Sequence, residues 1–188
     1  VGNDEQLEEV EQLMPELTQK HPSRALIMLG ERDAPDVDIE LDVVTHCQDD
    51  IGGGVKRLSC ERATLKAYGR FVPELPSAAL PLLVSDLSTF LWWRERTDSS
   101  DVVFNDLIES SDRLIIDSDD FEEPSELKQV NALYKLDECE DVGISDLNWA
   151  RLTYWRELLA DFYDVPAYRD ALDQLQEVTI EYVPQTDI

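Results

Sequence analysis

The sequence predicts an α/β fold, a single domain over residues 1–188 in which a mixed β-sheet is flanked by helices. Three observations predict it. Residues 25–68 carry apolar runs and alternations of strand type. From residue 89 onward, short strand-like runs alternate with helix-like ones. The chain has 188 residues and is 43% hydrophobic, which suits one core and argues against disorder over most of its length.

The elements follow in order. Residues 1–20 form an acidic helical segment, with Leu7, Val10, Leu13, Met14 and Leu17 at helical spacing. Pro15 is expected to kink or split that helix, because proline removes an internal hydrogen bond, and His21-Pro22 closes it. Ala25 to Leu29 reads as a strand buried on both faces, and Val37 to Cys47 alternates as a half-buried strand does. Leu58 to Tyr68 is a third strand, with Ala63, Leu65 and Ala67 on one side. Ser77 to Leu83 is a short helix among prolines. Thr89 to Arg94 is rich in strand formers. Val102 to Ser110 is a helix with Phe104, Leu107 and Ile108 on one face, and Arg113 to Asp117 is a short core strand. Glu123-Pro124-Ser125 opens a helix to about Leu136. Ser145 or Asp146 caps another from Leu147 to Phe162. Pro166 starts a further helix through Leu175, and Val178 to Val183 is a last strand.

Charge constrains function most. Forty-two acids against 16 bases give a net charge of −26. Nucleic acid and anionic membranes both require a basic patch, so neither is an expected partner. No run of roughly 18 apolar residues is present to span a bilayer, and the acidic N-terminus is unlike a secretory leader, so a cytoplasmic protein is expected. The chain begins with Val1, as a trimmed protein or a fragment would. Dense acid has two readings: a docking face for a basic partner, or adaptation to a salt-rich cytoplasm where screening makes it tolerable. The even spread of acids along the chain favours the second.

Motifs for catalysis are missing. Gly52-Gly53-Gly54 lacks the Gly-Lys-Ser/Thr ending of a phosphate loop, and no dinucleotide fingerprint or nucleophile elbow occurs. The acids at Asp117, Asp119, Asp120, Glu122 and Glu123 lack the central glycine of a calcium loop. His21 and His46 are the only histidines, too few for a zinc site without further ligands. Cys47, Cys60 and Cys139 are an odd number at spacings that fit no metal or redox motif, so free thiols are the default and a redox-sensing role is the sharper alternative. No catalytic residue, metal or cofactor is assigned.

Two aromatic and arginine constellations stand out instead. Leu80-Pro81-Leu82-Leu83-Val84-Ser85-Asp86-Leu87 leads to Phe90-Leu91-Trp92-Trp93-Arg94. Ser145-Asp146-Leu147-Asn148-Trp149-Ala150-Arg151-Leu152 runs on to Trp155-Arg156-Glu157-Leu158-Leu159. All four tryptophans of the chain lie here. Trp and Arg dominate binding hot spots, through large contact area and directional hydrogen bonds. The structural alternative stays open: on a doubly covered sheet Trp92 and Trp93 would both be core, and Leu152, Trp155, Leu159 and Phe162 would form an ordinary core stripe. The binding candidates are Asp86, Trp92, Trp93, Arg94, Arg113, Asp146, Asn148, Trp149, Arg151, Trp155 and Arg156.

These two constellations, with Asp112-Arg113-Leu114-Ile115-Ile116-Asp117-Ser118, His21-Pro22-Ser23-Arg24-Ala25 and Ser59-Cys60-Glu61, give the chain a resemblance from about His21 to Tyr182. It resembles the glucose-6-phosphate dehydrogenase assembly protein family, called OpcA. Members usually continue past this C-terminus, so a following portion is expected to be missing, and this chain is more acidic than the family leads one to expect. The resemblance implies a non-catalytic protein that associates with glucose-6-phosphate dehydrogenase of the oxidative pentose phosphate route. It would promote that enzyme's active oligomer or raise its substrate affinity, as an allosteric activator. Some members respond to thiol redox state, which would involve Cys47, Cys60 or Cys139. The competing expectation is a phosphosugar-binding sensor or enzyme domain that uses Arg94 and Asp117 at strand ends.

Overall fold

The computed structural model describes residues 4–21, 23–48, 58–95, 101–121, 126, 128, 142–169 and 171–179. The side chains of 4, 5, 19, 46–48, 58–60 and 120 lie outside the description. Helices combine with mixed-sheet strands, as the sequence predicts. The chain divides into two compact units, Val1–Leu147 and Asn148–Ile188.

In the first unit, strands β1 (Arg24–Glu31), β2 (Val37–Gln48) and β3 (Leu58–Tyr68) form a sheet in the order β1-β3-β2. β1 runs parallel to β3 and β2 antiparallel to it, so this sheet is mixed. The central strand is β3. Its Ala63, Leu65 and Ala67 are buried, as the alternation requires, and Thr64 on the opposite side is buried as well. The edge strand β2 carries Asp38, Glu40 and Asp42, charges that discourage pairing with another chain. After β3 the backbone turns at Gly69, whose φ is +61°. A side chain there would run into the Asp36 carboxylate and the Ala34 carbonyl, and Asp36 Oδ1 accepts from the Arg70 N–H at 3.0 Å.

The second sheet is wholly parallel, in the order β4 (Phe90–Trp92), β5 (Arg113–Ile116) and β6 (Gly143–Asp146). Helix α3 (Val102–Ile108) lies between β4 and β5 in sequence. Its first turn is capped by Asp101, which accepts from the Val103 N–H at 2.9 Å. Arg32 donates to both oxygens of that same carboxylate at 2.8 Å, tying the end of β1 to the start of α3. One core serves both sheets. Leu65 and Ala67 from β3, Leu91 and Trp93 from around β4, and Leu114 and Ile116 from β5 pack with α3 and the short helix α2 (Leu75–Ala79). Trp93 meets Phe104 of α3 edge-on, with centroids 5.0 Å apart.

Helix α1 (Asp4–Lys20) runs unbroken through Pro15, so the predicted split does not occur. Pro15 lies in the fourth turn, far enough in to cost one helical hydrogen bond, while the Thr18 hydroxyl donates to the Met14 carbonyl at 2.8 Å. The helix is held by charge: Glu9 meets Arg94 at 2.7 Å and Glu11 meets Arg62 at 3.4 Å.

The described residues of the second unit form helices and turns up to Gln174. The predicted helix Leu147 to Phe162 is two helices, α4 (Leu147–Arg151) and α5 (Thr153–Asp164), broken at Leu152. At the break the Thr153 hydroxyl donates to the Ala150 carbonyl at 2.7 Å, competing with the helical ladder. The helix expected from Pro166 to Leu175 is a single turn, α6 (Pro166–Arg169), followed by a 3-10 turn at Leu172–Gln174. Val178 and Thr179 are not in a strand, and the rest of the expected last strand lies outside the described residues. The same holds for Gly52 to Gly54 and for most of the helix expected from Glu123 to Leu136, of which Glu126 and Lys128 are helical.

Truncating Phe104 to Ala should cost about 3–5 kcal/mol in urea unfolding, because it opens a cavity against Trp93 at the junction of both sheets. A second expectation concerns pH. Burial raises the Glu95 carboxyl above its ordinary value, with Arg32 opposing the shift and Asp101 adding to it. The folded state therefore holds this proton to a higher pH than the unfolded chain. Its contribution to stability falls as pH rises through that window and stays lost at neutrality. Glu95→Gln should raise the thermal midpoint at pH 7, and the gain should shrink toward pH 4 in the same buffer series.

Candidate functional site

Period-two alternation sorts the first aromatic cluster. Register aligns Phe90 with Arg113 and Gly143, and Trp92 with Ile115 and Ser145. Leu91, Leu114 and Ile144, aligned between them, face the core. Phe90, Trp92, Arg113, Ile115, Gly143 and Ser145 therefore share the opposite face of the parallel sheet. Trp93, taken from the sequence as a binding candidate, is a core residue at 2% exposure and cannot contact a partner.

One end of that face is closed and the other open. At the closed end the Arg94 guanidinium lies 5.2 Å from the Trp92 ring and donates to Glu9 Oε2 at 2.7 Å, while Gln6 donates to the Arg94 carbonyl at 3.3 Å. Arg94 is thus engaged within the fold, and Trp92 is half-buried. At the open end Phe90 is 61% exposed and Arg113 is exposed. Arg113 donates to Ser145 Oγ at 2.8 Å. Its guanidinium lies flat along Gly143, where a Cβ would be only 3.2 Å from Cζ.

Asp146 closes the C-terminal ends of β5 and β6. Its two oxygens accept from the Ser118 N–H at 3.0 Å and the Ser118 hydroxyl at 2.7 Å. Asp117 instead caps the turn after β5, accepting from the Asp119 N–H at 3.2 Å. Asp86 lies on an exposed turn, and the Asn148 carbonyl accepts from Leu152 N–H at 3.0 Å.

In the second unit, Trp149 is 58% and Trp155 68% exposed. Of the two readings left open for Leu152, Trp155, Leu159 and Phe162, exposure favours surface over core: all four are exposed. Tyr154, Trp155, Leu158, Leu159 and Phe162 form one apolar stripe along α5, and Phe162 stacks on Tyr168 with centroids 4.8 Å apart. Arg156 is drawn back from the stripe. Its guanidinium lies 4.0 Å above the Trp149 ring and donates to the Trp149 carbonyl at 3.1 Å and the Thr153 hydroxyl at 2.9 Å. Arg151 is exposed at the end of α4.

Among the cysteines, backbone register sets Cys47 opposite Ser59 and Cys60 opposite His46. Their side chains and the whole of Cys139 lie outside the described residues. Sequence reasoning did not single out Phe90, Gly143, Ser145 or Tyr154. Phe90 and Ser145 stood inside the quoted motifs, and the register of a parallel sheet is the signal that would have joined them to Arg113.

The roles separate by stability. Asp146→Ala removes both hydrogen bonds that its carboxylate accepts from Ser118, and should cost about 1–3 kcal/mol in denaturant unfolding. Trp155→Ala removes only exposed area and should stay within about 0.5 kcal/mol of the parent.

The chain is similar to known proteins along most of its length. Residues 14–132 match the family described as glucose-6-phosphate dehydrogenase subunit N-terminal domain, and residues 142–187 match the corresponding C-terminal domain. An OxPP cycle protein OpcA of Nostoc punctiforme is 31% identical over 169 residues, covering 89% of this chain and 35% of that protein. Its namesake in Synechocystis is 29% identical over 126 residues, covering 66% and 26%. That of Synechococcus elongatus is 28% identical over 145 residues, covering 77% and 32%. The chain thus spans about a third or less of the length of these relatives.

Proposed function

Because this chain belongs to the OpcA family of glucose-6-phosphate dehydrogenase assembly proteins, we propose that it is a non-catalytic activator that binds glucose-6-phosphate dehydrogenase in the cytoplasm. It binds the active oligomer of that enzyme better than its inactive form and so shifts the equilibrium between them. The observation that carries the reading is the solvent-facing aromatic stripe of α5, within the region that matches the C-terminal domain. Soluble proteins rarely leave such a stripe open unless something covers it. Trp, Tyr and Phe together supply the contact area on which interfaces depend.

The phosphosugar reading loses support from the geometry. Arg94, on which it relied, is committed to Glu9, and Asp117 to a turn.

The test is a dehydrogenase assay with enzyme from the same organism, with and without the chain, at low and high salt, together with co-elution on a sizing column. A lower Michaelis constant or a higher rate, with a shift of the enzyme to a larger species, is expected. Trp155→Ala combined with Leu158→Ala should weaken the effect about tenfold or more. No effect and no co-elution at any salt would sink the proposal.

A further inference from the structure

Among the described residues most arginines pair with an acid, and Arg156, which does not, is folded back onto Trp149 and Thr153. Arg24, Arg32, Arg62, Arg70, Arg94 and Arg169 each hold a carboxylate within 4 Å. Arg113 does not: among the described residues its side chain has Ser145 Oγ as its hydrogen-bond partner and no acid at ion-pair distance. The neighbouring Asp112 is already used, accepting from the Thr89 N–H at 2.7 Å.

We propose that the open corner formed by Phe90, Arg113 and Ser145 docks a protein partner that presents a carboxylate beside an apolar side chain. The proposal rests on the reading that the chain works by binding another protein, and it names the chemistry of the partner at this corner. Three features support it. The guanidinium is held in place beforehand, by Ser145 on one side and by the bare backbone of Gly143 beneath it, so little freedom is lost on binding. Its planar fork suits the two oxygens of an Asp or Glu. Phe90, aligned with Arg113 and 61% exposed, offers apolar area beside the charge. A net charge of −26 repels an acidic surface at large, so a single acid matched to this one cation gives register as well as attraction. A nucleic-acid phosphate is disfavoured by the same field.

The experiment measures binding of glucose-6-phosphate dehydrogenase from the same organism to the parent chain, Arg113→Gln, Arg113→Glu, Phe90→Ala and Gly143→Ala, by calorimetry at two salt concentrations. Thermal melts confirm that each variant is folded. Arg113→Gln should bind about tenfold more weakly, and Arg113→Glu more weakly still. Gly143→Ala should weaken binding less than the charge changes do, because a Cβ 3.2 Å from Cζ shifts the guanidinium by a few tenths of an ångström with the charge intact. Parent binding with unchanged affinity in Arg113→Glu and Phe90→Ala overturns this proposal alone. Absence of binding by the parent overturns it together with the functional reading. A separate titration uses inorganic phosphate and glucose 6-phosphate. If either binds the parent and not Arg113→Gln, the guanidinium serves a free anion and the protein-carboxylate assignment is wrong.

Discussion

Five residues, Phe90-Leu91-Trp92-Trp93-Arg94, set the relation between core and surface in the first unit. Extended backbone sends successive side chains to opposite faces, so Leu91 and Trp93 must enter the core if Phe90, Trp92 and Arg94 are to stay out of it. Trp93 then meets Phe104 and fixes α3, while Leu91 aligns with Leu114 and Ile144 to seat β5 and β6. The outer face follows from the same choice. A slip of one residue would bury Arg94 and Phe90 and put Leu91 and Trp93, the largest fully buried side chain, into water. The exposed corner is in this sense a by-product of core packing that the sequence has furnished with an aromatic ring and a cation.

Charge does the complementary work. Single ion pairs open to water are each weak, so their value here lies in what they connect. The fold uses its arginines as ties between distant elements. Arg32 joins β1 to the cap of α3, and Arg62 and Arg94 hold α1 through Glu11 and Glu9. Arg24 and Arg70 make further ties of this kind, whereas among the described residues Arg113 meets a hydroxyl and no acid. In a basic protein the same residue would be unremarkable.

How far the sequence could be read follows from what each element depends on. β2 and β3 were legible because their alternation is local and long, β1 as a short apolar run, and α3 because Phe104, Leu107 and Ile108 recur at helical spacing. β6 was not: Gly143-Ile144-Ser145-Asp146 has a single apolar residue, and it is a strand only because β5 pairs with it. The break at Leu152 depends on a hydroxyl competing for a carbonyl, which no periodicity reports. The stripe of α5 was legible as apolar but not as core or surface, since spacing reveals an amphipathic face without saying what lies against it. At the site, sequence identified Arg113 and the tryptophans as residue types but could not rank them. Burial removed Trp93, an ion pair engaged Arg94, and register brought Phe90 and Ser145 to Arg113.

The two exposed surfaces also differ in what they can specify. The α5 stripe offers area, and apolar area binds many apolar surfaces with similar strength. The relatives are some three times as long as the matched region, and an apolar face accepts further protein of any origin equally well. A fixed guanidinium is selective in a way the stripe is not. It rewards one geometry of one functional group, and it leaves a partner that lacks the acid with an unmatched charge against it. The two surfaces therefore differ in kind: the Phe90 and Arg113 corner is directional, and the aromatic stripe of α5 is not.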